Sequence, residues 1–231
     1  MLEQLEKRWP IADRSKIQLF SLNTPNGNKV STALEELSLP YEPHLVNILT
    51  GDQFTEEFSA ISPNSKIPVI VDPDGPGGKP MAIMESGAIL LHLAEKTGKL
   101  LPADPAARLE CLQWLLFQVG HIGPMFGQLG HFYRYAGDKC DHPYPKQRYA
   151  TETRRLLGVL DRRLDGRAHL MGDEYTIADI ATFPWVVTLS ELYEAGDELE
   201  LDSFEHVQRW LDRCEERPAF VRARDVCPLP K

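Results

Sequence analysis

The sequence predicts an α/β domain followed by an all-helical domain, and three observations predict it. The apolar pattern of the first part alternates between strand-like runs and helix-like stripes. After Glu85 no strand pattern recurs, and the stripes are helical to the end of the chain. The stretch Lys99-Leu-Leu-Pro-Ala-Asp-Pro105 separates the two regimes. At 231 residues, with 42% hydrophobic content, the chain is long enough for two cores. The boundaries read as an N-terminal arm over 1–15, an α/β domain over 16–98, a linker over 99–105 and an all-helical domain over 106–231.

The elements follow in order. Lys16-Ile-Gln-Leu-Phe-Ser-Leu22 predicts a strand. A helix from Gly27 to Ser38 places Val30, Ala33, Leu34 and Leu37 on one face. Glu42 to Ile48 predicts a second strand and Gln53 to Ile61 a short helix. A strand opens at Pro68, Asp72 to Pro80 reads as a turn, and Met81 to Glu85 as a further strand. Ser86 is placed as the N-cap of a helix that Gly98 terminates. The order is β-α-β-α-β-β-α. Beyond the linker, Ala107 to Leu129 predicts a long helix disturbed by Gly120, Gly123 and Pro124. Asp138 to Gln147 reads as a polar loop. Leu156, Leu157, Leu160 and Leu164 stripe the next helix, Thr176-Ile-Ala-Asp179 is a capping box, and Phe204 to Phe220 supplies the closing helices.

A net charge of -9 offers no electrostatic attraction to nucleic acid or an anionic membrane. The first residues carry charges and no apolar h-region, so no secretory signal is expected. No apolar run is long enough to span a bilayer. Cys111, Cys140, Cys214 and Cys227 form no CxxC pair, and a reduced, cytoplasmic protein is the simple expectation. The histidines form no HxxxH or HxH pattern, so no metal is expected; His121 and His131 are expected to be packed or exposed. Cys111, Trp114, Trp185 and Trp210 read as core, and Cys140 and Cys227 as loop residues open to oxidation.

Three segments of the α/β domain carry chemistry. In Ser65-Lys-Ile-Pro68 the proline must open its strand. A cis Ile67-Pro68 bond would turn the Ile67 N–H and C=O outward for an extended peptide to pair with; an ordinary trans proline is the alternative. At Glu85-Ser86, helix N–H groups could bind a carboxylate and Glu85 an ammonium; a plain cap beside an exposed Glu is the alternative. In Thr24-Pro-Asn-Gly-Asn-Lys29, Thr24 and Asn26 place short polar groups where a helix begins, a setting that stabilises a thiolate; turn chemistry alone is the alternative. This domain contains no cysteine, so a thiol reacting there belongs to the ligand. Lys29 and Lys66 are expected to be solvated.

Together these segments resemble the glutathione transferase family, over roughly residues 16 to 225. The resemblance is closest to the bacterial nu class, through Thr24-Pro-Asn-Gly27, Ile61-Ser-Pro-Asn-Ser-Lys-Ile-Pro68, Glu85-Ser-Gly-Ala-Ile-Leu-Leu91, Leu93-Ala-Glu-Lys-Thr-Gly98, Gln118-Val-Gly120 and Gly123-Pro-Met125. It implies a thioredoxin-like first domain and a homodimer. Ile67, before a cis Pro68, would pair with the cysteinyl backbone of glutathione. Glu85 and Ser86 would hold the γ-glutamyl end, Gln53 would add a contact, and Thr24 and Asn26 would face the sulfur as donors rather than general bases. Arg148, before Tyr149, resembles an arginine that reaches the ligand. Glutathione would be a co-substrate, two per site or as the disulfide, with no metal and a small disulfide or electrophile as second reactant.

The departures are local. Residues 1–15 lie outside the resemblance and are expected to pack on a partner. Ser21 is an alternative sulfur contact, and Tyr133 to Pro145 matches the class loosely. Glutathione-dependent disulfide reduction is the leading expectation. Conjugation to small apolar electrophiles is the alternative, and a non-catalytic glutathione-binding module the second alternative.

Overall fold

The computed structural model describes residues 1–229. They form two compact units, residues 1–97 with Arg217 onwards, and Gly98–Glu216.

The first unit is built on a four-stranded sheet in the order β2-β1-β3-β4. The strands are β1 (Ile17–Ser21), β2 (Tyr41–Leu45), β3 (Val69–Gly75) and β4 (Lys79–Met84). β1 runs parallel to β2, while β3 is antiparallel to both β1 and β4. This is the mixed sheet expected of a thioredoxin-like domain. Every residue of β1 is buried, as a strand with neighbours on both sides and helices on its faces requires. β3 runs further than expected, through Gly75. The turn shrinks to Pro76–Gly78, where Gly77 and Gly78 take φ of 74° and 71° that side chains rarely adopt.

Helix α2 (Pro25–Leu37) starts two residues before its expected point. Thr24 is its N-cap and accepts from the Gly27 N–H at 3.2 Å, with Pro25 in the first turn, where a missing N–H is harmless. Val30, Ala33, Leu34 and Leu37 are buried, as their stripe predicts. Helix α4 (Ser86–Thr97) ends at Gly98, whose φ of 66° fits the left-handed C-terminal position.

Residues 1–15 pack on their own sheet. Helix α1 (Leu2–Leu5) and the turn after it bury Leu5 and Trp9 against Phe20, Val46 and Phe58. The Trp9 ring meets Phe20 and Phe58 edge-on at 5.6 and 6.2 Å, and its Nε1 donates to the Leu45 carbonyl at 2.7 Å. Arg8 pairs with Asp52. The Ala12 and Asp13 N–H groups donate to the Glu42 carboxylate at 2.8 and 3.0 Å. Trp9→Phe keeps most of the ring contact and removes one hydrogen bond. A loss of about 1 kcal/mol in urea unfolding is expected; an unchanged midpoint would show that this hydrogen bond adds nothing.

The C-terminal helix α10 (Pro218–Ala223) belongs to this unit, not with 106–216 as the expected boundary had it. It lies against α2, and Arg217 binds Glu36 through Nε at 2.5 Å and Nη2 at 2.9 Å. Arg222 Nε reaches Glu35 at 2.6 Å. The acidic pair at the end of α2 thus finds its cations far along the chain.

In the second unit the expected long helix is divided. Helix α5 (Pro105–Phe117) passes into a π-helical turn (Gln118–Ile122), then α6 (Gly123–Gly130) and a second π-turn (His131–Tyr135). The first widening falls just before Pro124, which has no N–H to donate. Gly130 permits a close approach: a Cβ there would lie 2.2 Å from the Tyr193 ring. The expected loop Asp138–Gln147 is shorter, because α7 (Pro143–Leu164) takes Pro143 into its first turn and is capped by His142 Nδ1. The leucine stripe of α7 is buried. Helix α8 (Ile177–Glu191) has the predicted capping box, and Asp179 also accepts from Leu170 N and from Trp210 Nε1 of α9 (Glu205–Glu215). Cys111, Trp185 and Trp210 are buried; Trp114 is half-buried beneath the Arg163 guanidinium. His121 and His131 are exposed.

Candidate functional site

Strand directions decide what is brought together. Phe20 pairs with Val69, Val69 with Met84, and Ser21 with Leu45. The C-terminal ends of β1, β2 and β4 and the N-terminal end of β3 therefore share one edge of the sheet. Four connections emerge there: Leu22–Thr24 into α2, Val46–Gln53, Ile67-Pro68 into β3, and Glu85 into α4. Six of the predicted site residues, and Pro68 with them, fall on these connections or on the first turn of the helix that follows.

At the β1–α2 connection, Thr24 and Asn26 are half-exposed. The Thr24 oxygen accepts from Gly27, which leaves its hydroxyl proton to donate. Ser21 is only 3% exposed, and its hydroxyl is turned to the Leu22 carbonyl at 3.4 Å. Gly27 lies so close above it that an added Cβ would stand 2.7 Å from Ser21 Oγ and 2.0 Å from the Leu22 oxygen. Burial thus favours Thr24 and Asn26 over Ser21 as groups a ligand can touch.

The Ile67-Pro68 bond is cis. Ile67 is half-buried and Pro68 buried, directly ahead of β3. Gln53 lies in a 3-10 turn (Asp52–Phe54) after β2, where Nε2 donates to the Ile48 carbonyl at 3.3 Å. Its Oε1 is buried without a hydrogen-bond partner, an unsatisfied acceptor beside this edge. Asp52 fixes this turn by accepting from the Asn47 N–H at 2.9 Å and from Arg8 of the arm.

Ser86 is not the N-cap of α4. Glu85 holds that position, since its carbonyl accepts the first helical bond, from Ile89 N at 2.9 Å. Glu85 has φ of 70°, a costly conformation for a side-chain-bearing residue and one that clusters at functional sites. Glu85 is exposed; Ser86, the first helical residue, is 9% exposed.

Two residues were misplaced by local reading. Lys29 is not solvated: it is 2% exposed, and its Nζ donates to Ser86 Oγ at 3.3 Å. Its spacing held the signal, since Lys29 stands one helical turn before Ala33 on the apolar stripe. Lys66 is exposed as expected. The second residue is Cys227, which returns to this unit, where its carbonyl accepts from Asn23 N at 2.8 Å. The first unit therefore does contain a cysteine. It is buried rather than open to oxidation, and burial pushes its thiol up to about 11, so it stays protonated. Cys227 therefore offers no thiolate at this edge.

Arg148 belongs to the second unit. It is exposed on α7, with Nη1 4.0 Å from Glu152 Oε2. Among the described residues no group of three or more His, Cys, Asp and Glu is arranged to hold a metal, and no helix is long and apolar enough to cross a membrane.

Comparison with known proteins agrees with this architecture. Residues 24–96 match the family model described as Glutathione S-transferase, N-terminal domain, and residues 139–218 match Glutathione S-transferase, C-terminal domain. The disulfide-bond oxidoreductase YghU of Escherichia coli K12 is 44% identical over 96% of this chain and 78% of its own. The disulfide-bond oxidoreductase YfcG of the same organism is 45% identical over 90% of this chain and 94% of its own. Among solved structures, a glutathione transferase from Burkholderia graminis with two glutathione molecules bound per subunit superposes with a TM-score of 0.95 at 55% identity, covering 96% of this chain and 92% of the other. One from Pseudomonas putida with one glutathione disulfide bound per subunit gives 0.93 at 51% identity, over 96% of each chain.

Proposed function

Because the chain belongs to the glutathione transferase family, we propose that it is a nu-class, glutathione-dependent disulfide reductase, in which donors at the start of α2 activate the thiol of glutathione. The observation that carries this reading is the edge where β1 meets α2. Thr24 and Asn26 are accessible there, while the cysteine nearby is buried and held protonated. The reactive sulfur then belongs to the ligand.

In this reading Ile67 pairs its backbone with the cysteinyl residue of glutathione, beside Pro68. Glu85 takes the ligand's ammonium, Ser86 and the α4 N-terminus its γ-glutamyl carboxylate, and Gln53 a ligand N–H. Arg148 is assigned to a ligand carboxylate. The bound thiolate attacks one sulfur of a disulfide; a mixed disulfide forms and the other sulfur leaves as a thiolate. A second glutathione thiolate attacks the glutathione sulfur of that mixed disulfide, which yields glutathione disulfide and releases the substrate's remaining thiol after protonation. The protein contributes positioning and electrostatic stabilisation of the sulfur charge. YghU and YfcG, named disulfide-bond oxidoreductases, and the neighbours holding two glutathiones or the disulfide support this choice. A cytoplasmic homodimer completes the proposal.

The test is a pair of assays on the purified chain with glutathione. Reduction of 2-hydroxyethyl disulfide, coupled to glutathione reductase, is expected to proceed well above the uncatalysed rate. Turnover of 1-chloro-2,4-dinitrobenzene without disulfide reduction would replace the proposal with conjugation.

A further inference from the structure

A buried lysine beside the first residue of α4 is unusual, because a charged ammonium loses its hydration there. Lys29 is 2% exposed, and its Nζ lies 3.3 Å from Ser86 Oγ. The chemistry of the two groups settles the direction of that bond. An ammonium has three protons to donate and no acceptor, whereas a hydroxyl has one proton and two lone pairs. While Lys29 is charged, Ser86 must accept from it. The Ser86 proton is then left for an acceptor elsewhere, at the start of a helix whose first N–H groups have no partner within the helix itself. A neutral amine has a lone pair, so loss of the charge lets Ser86 donate back to Lys29.

We propose that Lys29 is a positioning residue: as an ammonium it holds the Ser86 hydroxyl as a donor toward the γ-glutamyl carboxylate of bound glutathione, so that carboxylate binding and protonation of Lys29 are linked. The inference rests on the reading of this edge as the glutathione site, and it assigns the residue that sets the polarity of Ser86.

The surroundings make the linkage measurable near neutrality. Burial pushes Lys29 down to about 7, and the Glu85 charge acts against that shift. The other charged groups on elements packed against α2 are engaged or exposed. Arg217, just ahead of α10, and Arg222 within it bind Glu36 and Glu35, and Arg224 lies over the Phe220 ring. His92 and Lys96 of α4 bind Asp72, and Glu95 is exposed. A ligand carboxylate at Ser86 favours the charged lysine and raises its pKa. Above about 7, binding then takes up a proton, and affinity falls by at most about tenfold per pH unit until the bound pKa is reached.

The test uses S-methylglutathione, which has no thiol to titrate, and the full chain. Calorimetry at pH 8 in two buffers of different ionisation enthalpy should show net proton uptake by the wild type. Affinity should fall several-fold between pH 6.5 and 8. Lys29→Met should weaken binding about tenfold at pH 6.5 and abolish both proton uptake and pH dependence. Lys29→Arg, always charged, should restore affinity at pH 6.5 with a flat profile. In a Ser86→Ala background, Lys29→Met should add little, because the lysine acts through the hydroxyl. Wild-type binding without proton uptake, or a Lys29→Met effect undiminished in Ser86→Ala, overturns the proposal and leaves the glutathione site standing. If Lys29→Met does not fold, the wild-type proton count and Lys29→Arg decide the matter. Wild-type protein that binds no S-methylglutathione at any pH overturns the glutathione reading and this proposal with it.

Discussion

Thr24→Ala is expected to lower kcat/KM for glutathione-dependent disulfide reduction by about 10²-fold, the loss seen when one donor to a developing or resting anion is removed from a preorganised site. Two roles of one side chain meet here. The Thr24 oxygen caps α2 by accepting from Gly27, and its proton is left for the ligand sulfur. Loss of the cap alone costs about 1 kcal/mol of stability, which does not slow a folded enzyme. Thr24→Ser keeps both roles and should retain most of the activity, whereas Asn26→Ala should fall between the two. The checks are steady-state kinetics with 2-hydroxyethyl disulfide and a pH titration of the thiolate absorbance of bound glutathione, whose midpoint should move up in Thr24→Ala. Unchanged kinetics in Thr24→Ala, with activity lost in Ser21→Ala, would move the sulfur contact to Ser21.

The largest expected effect on stability lies in the second unit. Asp179 is fully buried, and its carboxylate accepts from Leu170 N at 2.8 Å, Thr176 N at 3.0 Å, Thr176 Oγ1 at 3.2 Å and Trp210 Nε1 at 3.0 Å. One side chain thus ties the start of α8 to the turn before it and to α9. Asp179→Ala leaves several buried donors without an acceptor, each a desolvation cost of about 1–3 kcal/mol. A total of about 3–5 kcal/mol is expected after relaxation, read as a fall in the urea midpoint. Asp179→Asn, of the same shape but with one acceptor replaced by a donor, should cost less. A loss below about 1 kcal/mol for Asp179→Ala would mean that water replaces the carboxylate.

What the sequence shows of this fold depends on how local each cause is. The α2 stripe of Val30, Ala33, Leu34 and Leu37 is written in spacings of three and four residues. The capping box Thr176–Asp179 is a contact across one helical turn. Both were legible for that reason. Proline at position 68 announces the opening of β3, but not which isomer precedes it. The stripe of α2 hints that Lys29 is buried, but its partner Ser86 lies 57 positions away and no local pattern encodes it. Cys227 and α10 return to the first unit through contacts with α2 and Asn23 that span most of the chain, and no local pattern encodes them. The start of α7 at Pro143 was hidden by composition, since a polar, proline-containing stretch describes a loop and a first helical turn equally well. At the candidate site the residue types and their order were legible. The conformation of Glu85 and the burial that separates Thr24 from Ser21 were not, because both arise from packing.

The arm of residues 1–15 bears on how copies of this chain can meet. β2 and β4 are the edges of the sheet, and an open edge invites a strand from another molecule. On the β2 side, Pro43 removes one backbone donor, while Trp9 holds the Leu45 carbonyl and the Glu42 carboxylate collects the arm's own N–H groups. β4 begins with Lys79 and Pro80, a charge and a missing donor on the opposite edge. Both borders of the sheet thus carry features that oppose continuation. Self-association is thereby steered toward contacts between side chains, whose fit can be selective, and away from backbone pairing, which accepts almost any strand.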